Sequence, residues 1–219
     1  MERSPLSLET PTPLVPPPGF AQRLFDLGVP LDEAKIGQLG NYLAHLLAMN
    51  QHMNLTAIDD PIEVWEKHAL DSLALVPFLF TKATVVDVGS GGGVPGVPLA
   101  IARPDVAVTL IDSTQKKAAF LSQVARALRL RNVAVLAERA EKIGTRFDIV
   151  TARAVSRLIT LVPIVAPLAK PGGTLLLVKG QKAAEELEEA AAVLAAAGLT
   201  HQKTVTTATG RIVVLIKAK

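Results

Sequence analysis

Val85-Val86-Asp87-Val88-Gly89-Ser90-Gly91-Gly92-Gly93-Val94-Pro95-Gly96 is an apolar strand that stops at an acid and runs into a glycine loop. Glycines at 89, 91 and 93 let the chain turn sharply and approach a ligand more closely than a Cβ permits, and an apolar helix opens behind them at Val94 to Ala102. A nucleotide-like cofactor is therefore expected over the carboxyl end of this strand. Gly91, Gly93 and Gly96 also satisfy G-x-G-x-x-G, with an acid 21 residues beyond Gly91 at Asp112. Glycine spacing alone does not separate a dinucleotide site from other nucleoside sites, or from a structural turn.

Asp87 separates them. A carboxylate two residues before the first glycine repels a pyrophosphate but suits an ammonium group. S-adenosylmethionine carries an α-amino group and a sulfonium and no phosphate, so it is the cofactor the loop predicts, ahead of NAD.

The strand and its loop sit in a chain of 219 residues, 49% of them apolar, long enough to bury roughly 70% of the unfolded surface in one main domain. With no cysteine there is no disulfide, thiolate metal site or cysteine nucleophile, and four scattered histidines offer no metal site; a reducing cytoplasm is the expected compartment. The N-terminus does not read as a leader, and apolar runs such as Leu158 to Ala169 fall short of the roughly 18 residues a membrane span needs. Six prolines (5, 11, 13, 16, 17 and 18) predict an extended or disordered arm over residues 1–19.

Net charge is +3, but residues 103–182 hold 14 Lys/Arg against 5 Asp/Glu, and the remainder 9 against 15. A basic half of this kind is the footprint of a polyanion binder, although a solvated basic face gives the same count.

Between arm and strand, residues 20–80 read as a helical cap. Asp32 N-caps a helix whose stripe is Ile36, Leu39, Leu43, Leu46 and Leu47, with Gly37 and Gly40 weakening it by roughly 1 kcal/mol each. Asp60-Pro61 starts a second helix running to about Leu75. From 81 to 219 strands (83–88, 106–111, 132–137, 147–151, 173–179) alternate with helices (94–103, 114–130, 156–169, 181–198). Two closing strands, 202–207 and 211–217, are too close for a crossover and predict an antiparallel hairpin. The fold class is α/β: a Rossmann-like, mostly parallel seven-stranded sheet of the class I methyltransferase type.

Over about residues 40–182 the chain resembles the bacterial small-subunit (16S) ribosomal RNA guanine-N7 methyltransferases, the RsmG or GidB family. The resemblance rests on Asn54-Leu55-Thr56, His68-x-x-Asp71-Ser72-Leu73, Asp87-Val-Gly-Ser-Gly with Pro95-Gly96, Asp112-Ser113 with Lys116-Lys117, Arg139-Ala140-Glu141, Ala152-Arg153-Ala154 and Lys179-Gly180. The cap motif makes the combination more specific than any glycine loop.

The resemblance implies S-adenosylmethionine as cofactor, held by Asp87, Gly89, Gly91, Val94, Asp112, Ala140, Glu141 and Arg153. Asp112, at a strand end, is placed to accept from ribose hydroxyls. Glu141 is an adenosine contact or a surface residue. No catalytic base is expected, since guanine N7 has a free lone pair; Arg139, Arg153 and Lys179, three cations at strand ends, are the candidates for positioning the RNA. His68 and Asp71, at i and i+3, are either a lid contact or a buttress for the cap. Asn54 organises the loop between the cap helices.

The implied partner is small-subunit RNA or the 30S subunit or its assembly intermediate, in which an unpaired or exposed guanine is the target because N7 lies in the deep groove of A-form RNA. No membrane partner is expected, and the protein is expected to be a monomer. Many relatives extend beyond the last strand with a basic, proline-containing tail where this sequence reads Lys217-Ala218-Lys219; if that tail grips RNA, the expectation is reliance on the rim cations or weaker binding. Two other readings fit the same residues: a methyltransferase acting on a small molecule or protein, and a nucleotide- or RNA-binding module without turnover.

Overall fold

The computed structural model describes residues 11–153 and 155–219. Of the proline-rich arm, residues 1–10 and Pro5 lie outside that range. The rest runs without regular structure to Pro17 but is seated on the protein: the Leu14 N–H donates to the Gly40 carbonyl (3.2 Å), and a Cβ on Gly40 would stand 2.3 Å from the Leu14 oxygen. Gly40 therefore admits a second backbone, whereas Gly37 faces open space.

A short helix, α1 (Phe20–Asp26), precedes the long helix α2 (Glu33–Met53). The Asp32 carboxylate accepts from the Lys35 N–H (2.8 Å), which fixes the start of α2, and Asn54 closes it in a left-handed conformation (φ 48°). Asp60 caps α3 (Pro61–Val64) by accepting from Ile62 and Glu63. The chain continues through a π-helical stretch, Trp65–Leu70, into α4 (Asp71–Leu73).

The sheet contains β1 (Thr84–Val88), β2 (Ala107–Ile111), β3 (Val133–Leu136), β4 (Phe147–Arg153), β5 (Ala169–Lys179), β6 (Leu199–Thr206) and β7 (Arg211–Lys217), in the order β3-β2-β1-β4-β5-β7-β6. Strands β1 to β5 pair in parallel, and β7 runs antiparallel to β5 and β6, as the four-residue connection 207–210 requires. Helices α5 (Gly96–Ala102), α6 (Gln115–Ala127), α7 (Leu158–Val165), α8 (Ala183–Glu189) and α9 (Ala191–Ala196) cover the two faces.

One apolar cluster joins Leu39, Leu43 and Trp65 of the cap to Val97, Leu110 and Phe120, so the cap and one sheet face share a core. A second cluster on the other face packs Leu161 and Val165 against Leu175 and Val213. Strand order reverses at β1, between β2 and β4, and in open α/β sheets ligands bind outside the carboxyl ends of the strands at such a point.

Candidate cofactor and substrate site

The glycine loop sits at that reversal and is fastened from several sides. Gly89 (φ 68°) and Gly91 (φ 54°) take left-handed conformations that L side chains rarely adopt. Ser90 is buried: its hydroxyl donates to the Asp87 carbonyl (2.8 Å) and accepts from the Ile111 N–H (3.1 Å). Asp112 accepts from the Gly91 N–H (2.9 Å) through one oxygen and from the Thr114 N–H (2.8 Å) through the other. From the cap, the Tyr42 hydroxyl donates to the Gly92 carbonyl (2.9 Å), and burial holds that phenol protonated by pushing its pKa far up.

Asp87 is enclosed by the fold. It is 0% exposed, beneath the loop, and accepts from the Thr151 hydroxyl (2.9 Å) and the Gly96 N–H (3.2 Å). Burial pushes its carboxyl up to about 6, against the pull of these hydrogen bonds and of the Arg153 charge. A Cβ on Gly96 would lie 2.2 Å from Leu110 Cδ2 and 2.9 Å from Asp87 Oδ2. The acid therefore braces the start of α5 from below, on the side of the loop where Thr151 and Gly96 meet it.

Above the loop is a cavity of about 390 Å³, walled by Gly89 to Gly92 and Val94, by Thr56 and His68 of the cap, and by Lys117 and Arg153. The chain beyond β4 lies against the loop, since a Cβ on Gly89 would meet Val155 at 2.9 Å. Arg153 is half-buried and, among the described residues, its Nη1 has no hydrogen-bond partner. Burial pulls its pKa down, while the charges of Asp71 and Asp87 pull it up. An unsatisfied buried guanidinium nitrogen is costly unless an anion or acceptor completes it.

His68 is 6% exposed and shares a hydrogen bond with the Thr56 hydroxyl (2.8 Å). Burial, with the Arg153 charge, pushes its pKa down to about 4, so the ring is neutral near pH 7. The wider π-helical turn separates it from Asp71. His68 faces the cavity, whereas Asp71 accepts from the Thr209 hydroxyl and ties the cap to the β6–β7 connection. One residue of the pair thus lines the cavity, and the other ties the cap to the sheet. Asn50, rather than Asn54, organises the cap loop through its side chain, accepting from the Thr56 N–H (2.8 Å).

The three rim cations separate. Lys179 is engaged within the fold: its ammonium lies 2.8 Å from Glu186 Oε2 and donates to the Ser156 carbonyl (2.5 Å), with the side chain 8% exposed. The expectation that it grips RNA is corrected by α8, which brings an acid to the end of β5. Arg139 is exposed beyond β3 and does not line the cavity. Ala140, buried, and Glu141, exposed, share the turn that follows. Ala154, part of the matched motif after β4, lies outside the described residues. Sequence reasoning missed Tyr42, Thr151, Thr56 and Lys117 as loop and cavity residues; only the last two carried a signal, through the motifs that contain them. Among the described residues no group of His, Cys, Asp or Glu is arranged to hold a metal ion.

The family model described as rRNA small subunit methyltransferase G (GidB) matches residues 35–214. A protein named ribosomal RNA small subunit methyltransferase G from Sorangium cellulosum is 58% identical, covering 99% of this chain and 94% of that protein. One of the same name from Exiguobacterium sp. is 43% identical over 84% of this chain and 82% of its own length. Among solved structures, a SAM dependent methyltransferase from Aquifex aeolicus superposes with a TM-score of 0.59 at 22% identity, covering 74% of this chain and 96% of that one. A putative S-adenosyl-L-methionine-dependent methyltransferase from Methanococcus maripaludis gives 0.59 at 14% identity, covering 86% and 96%. The last two show the fold; the sequence matches show that this chain belongs to the rRNA small subunit methyltransferase G (GidB) family.

Proposed function

We propose that the protein transfers a methyl group from S-adenosylmethionine to N7 of a guanine in small-subunit (16S) ribosomal RNA. The observation that carries this reading is the family match across 35–214, which takes in the cap as well as the glycine loop.

The cavity fits the cofactor on its own chemistry. The partnerless Nη1 of Arg153 and the ammonium of Lys117 suit the methionine carboxylate, and the loop offers a wall without Cβ atoms at Gly89, Gly91 and Gly92. Asp112, Ala140 and Glu141, at the ends of β2 and β3, are placed for the nucleoside end; each Asp112 oxygen keeps a second lone pair beyond its loop hydrogen bond. Bound there, S-adenosylmethionine supplies an electrophilic methyl on a sulfonium.

The protein's own part is positioning. Neutral His68 and the Thr56 hydroxyl close the cap side and keep water out without adding a second cation. Guanine N7 needs no deprotonation, which agrees with a cavity wall that presents no carboxylate. Arg153, between the loop and the end of β4, holds an anionic group near the reacting atoms and tunes the field as charge moves onto the purine.

In this reading residues 20–80 are the lid of a single catalytic unit completed by 81–219, and the protein works as a cytoplasmic monomer on RNA or on the small subunit. Among the described residues no helix is long and apolar enough to cross a membrane. The acceptor is tested by offering methyl-labelled S-adenosylmethionine with small-subunit RNA, with small subunits lacking the modification, and with ribosomal protein alone. Label in the RNA is expected; label confined to protein, or none with cofactor bound, overturns the proposal.

A further inference from the structure

From Ser113 to Ala137 the chain contains no acid and five bases, Lys116, Lys117, Arg126, Arg129 and Arg131. The fold arranges them along α6. Lys117 stands at the cofactor cavity on its first turn; the three arginines gather at and just past its far end, about 15 Å away at 1.5 Å per residue.

There they border a concavity of about 410 Å³ between α6 and the edge strand β3. Ser122, Ala125, Arg126 and Arg129 form an i, i+3, i+4, i+7 stripe facing Val133 and Val135, so the hollow has an apolar floor and a cationic rim, with no acid in its lining. All three arginines are exposed, and among the described residues none has a side-chain hydrogen bond or ion pair. Lys179, Arg103 and Arg157, by contrast, are each matched to a carboxylate.

Arg129 also occupies a position that local structure does not favour. It is the first residue past the cap of α6, at φ 53°, and the Leu130 N–H closes back onto the Ala125 carbonyl (2.9 Å). Helices that end this way take glycine or asparagine there, because a Cβ is strained at positive φ. A long cation kept against that preference points to a contact outside the chain.

We propose that the hollow bordered by Arg126, Arg129 and Arg131 docks the phosphate backbone of the RNA substrate, several nucleotides from the methylated base. The partner is chosen by charge: three unpaired guanidiniums without a facing acid match phosphate oxygens. Docking here sets RNA affinity and register, leaves the cofactor cavity untouched, and rests on the RNA methyltransferase reading above.

The test replaces all three arginines with glutamine and, separately, makes Arg129→Gly. Methyl transfer to small-subunit RNA is measured from 50 to 200 mM salt, alongside S-adenosylmethionine affinity. For the triple variant, cofactor affinity and the rate at saturating RNA are expected to stay at the wild-type level. Its KM for RNA should rise roughly tenfold at the lower salt, and the dependence of log affinity on log salt should flatten by about two, as three lost phosphate contacts on a single strand require.

Arg129→Gly should weaken RNA binding while leaving Tm unchanged or higher, which a purely structural arginine would not do. Unchanged KM and salt slope overturn the proposal. So does self-association of the triple variant with normal RNA kinetics, which would make the arginines guards of the β3 edge. Absence of RNA labelling by the wild-type protein defeats the activity reading itself and is seen before any variant is compared.

Discussion

Strands β4 and β5 lie side by side, with Arg153 paired in register to Val178, and each ends in a cation at the carboxyl rim of the sheet. The two ends differ in what the chain next supplies. After β5, helix α8 places Glu186 against Lys179; after β4, among the described residues, no acid reaches Arg153 Nη1, which stays buried beside the glycine loop without a partner. A strand end shows where a cation is, and its partners decide whether it is spent on the fold or kept for a ligand.

The largest effect that sharpens this contrast is on catalysis. Arg153→Ala is expected to lower kcat/KM by about a hundredfold, the scale for losing one preorganised charge contact, without lowering Tm, since no hydrogen bond of that Nη1 is lost. Steady-state methyl transfer beside a thermal melt reads both.

Lys179→Met inverts the pattern. Removing one member of a mostly buried ion pair should cost about 3 kcal/mol in urea unfolding, with specific activity per folded molecule nearly unchanged. A Lys179 variant that keeps its stability and loses RNA affinity would restore this residue to the substrate grip.

Gly96→Ala comes next. Its Cβ has no room between Leu110 and Asp87, so overpacking should cost about 2 kcal/mol and weaken cofactor binding as α5 shifts. Gly37→Ala, facing open space inside α2, is the control and should gain a few tenths of a kcal/mol up to about 1.

A further effect, of about the size of that control, is a pH dependence. His68 is held down to about 4, so its unfolded form takes up a proton near pH 6.5 while its folded form resists. The stability of the neutral folded ring is present above about 6.5 and is lost as pH falls through 4. Between pH 7 and 5.5 the wild-type protein should therefore lose about 1 kcal/mol more than His68→Gln. Asp87, shifted the opposite way, is common to both proteins and cancels in that difference.

The order of strands and helices was legible because apolar runs, Asp-Pro and Asp caps and the short 207–210 connection are local signals. So was the cavity, since the loop glycines announce a close backbone approach. Three features were not. The side of the loop on which Asp87 lies depends on Thr151, 64 residues away; the fate of Lys179 depends on where α8 docks; and the Leu14–Gly40 contact joins an irregular segment to a helix interior. Each is a pairing between distant segments, which periodicity and caps do not encode. Gly40 looked like a flaw in α2 until the backbone it admits was in place.

The most direct test of the central claim is to label small-subunit RNA lacking the modification with this protein and methyl-labelled S-adenosylmethionine, then cut the RNA by chemistry specific for N7-methylguanine. A single new cleavage, coincident with the label and absent with Arg153→Ala, is the predicted result. Labelled RNA that yields no such cleavage would place the methyl on another atom and contradict the account of a base-free transfer to N7.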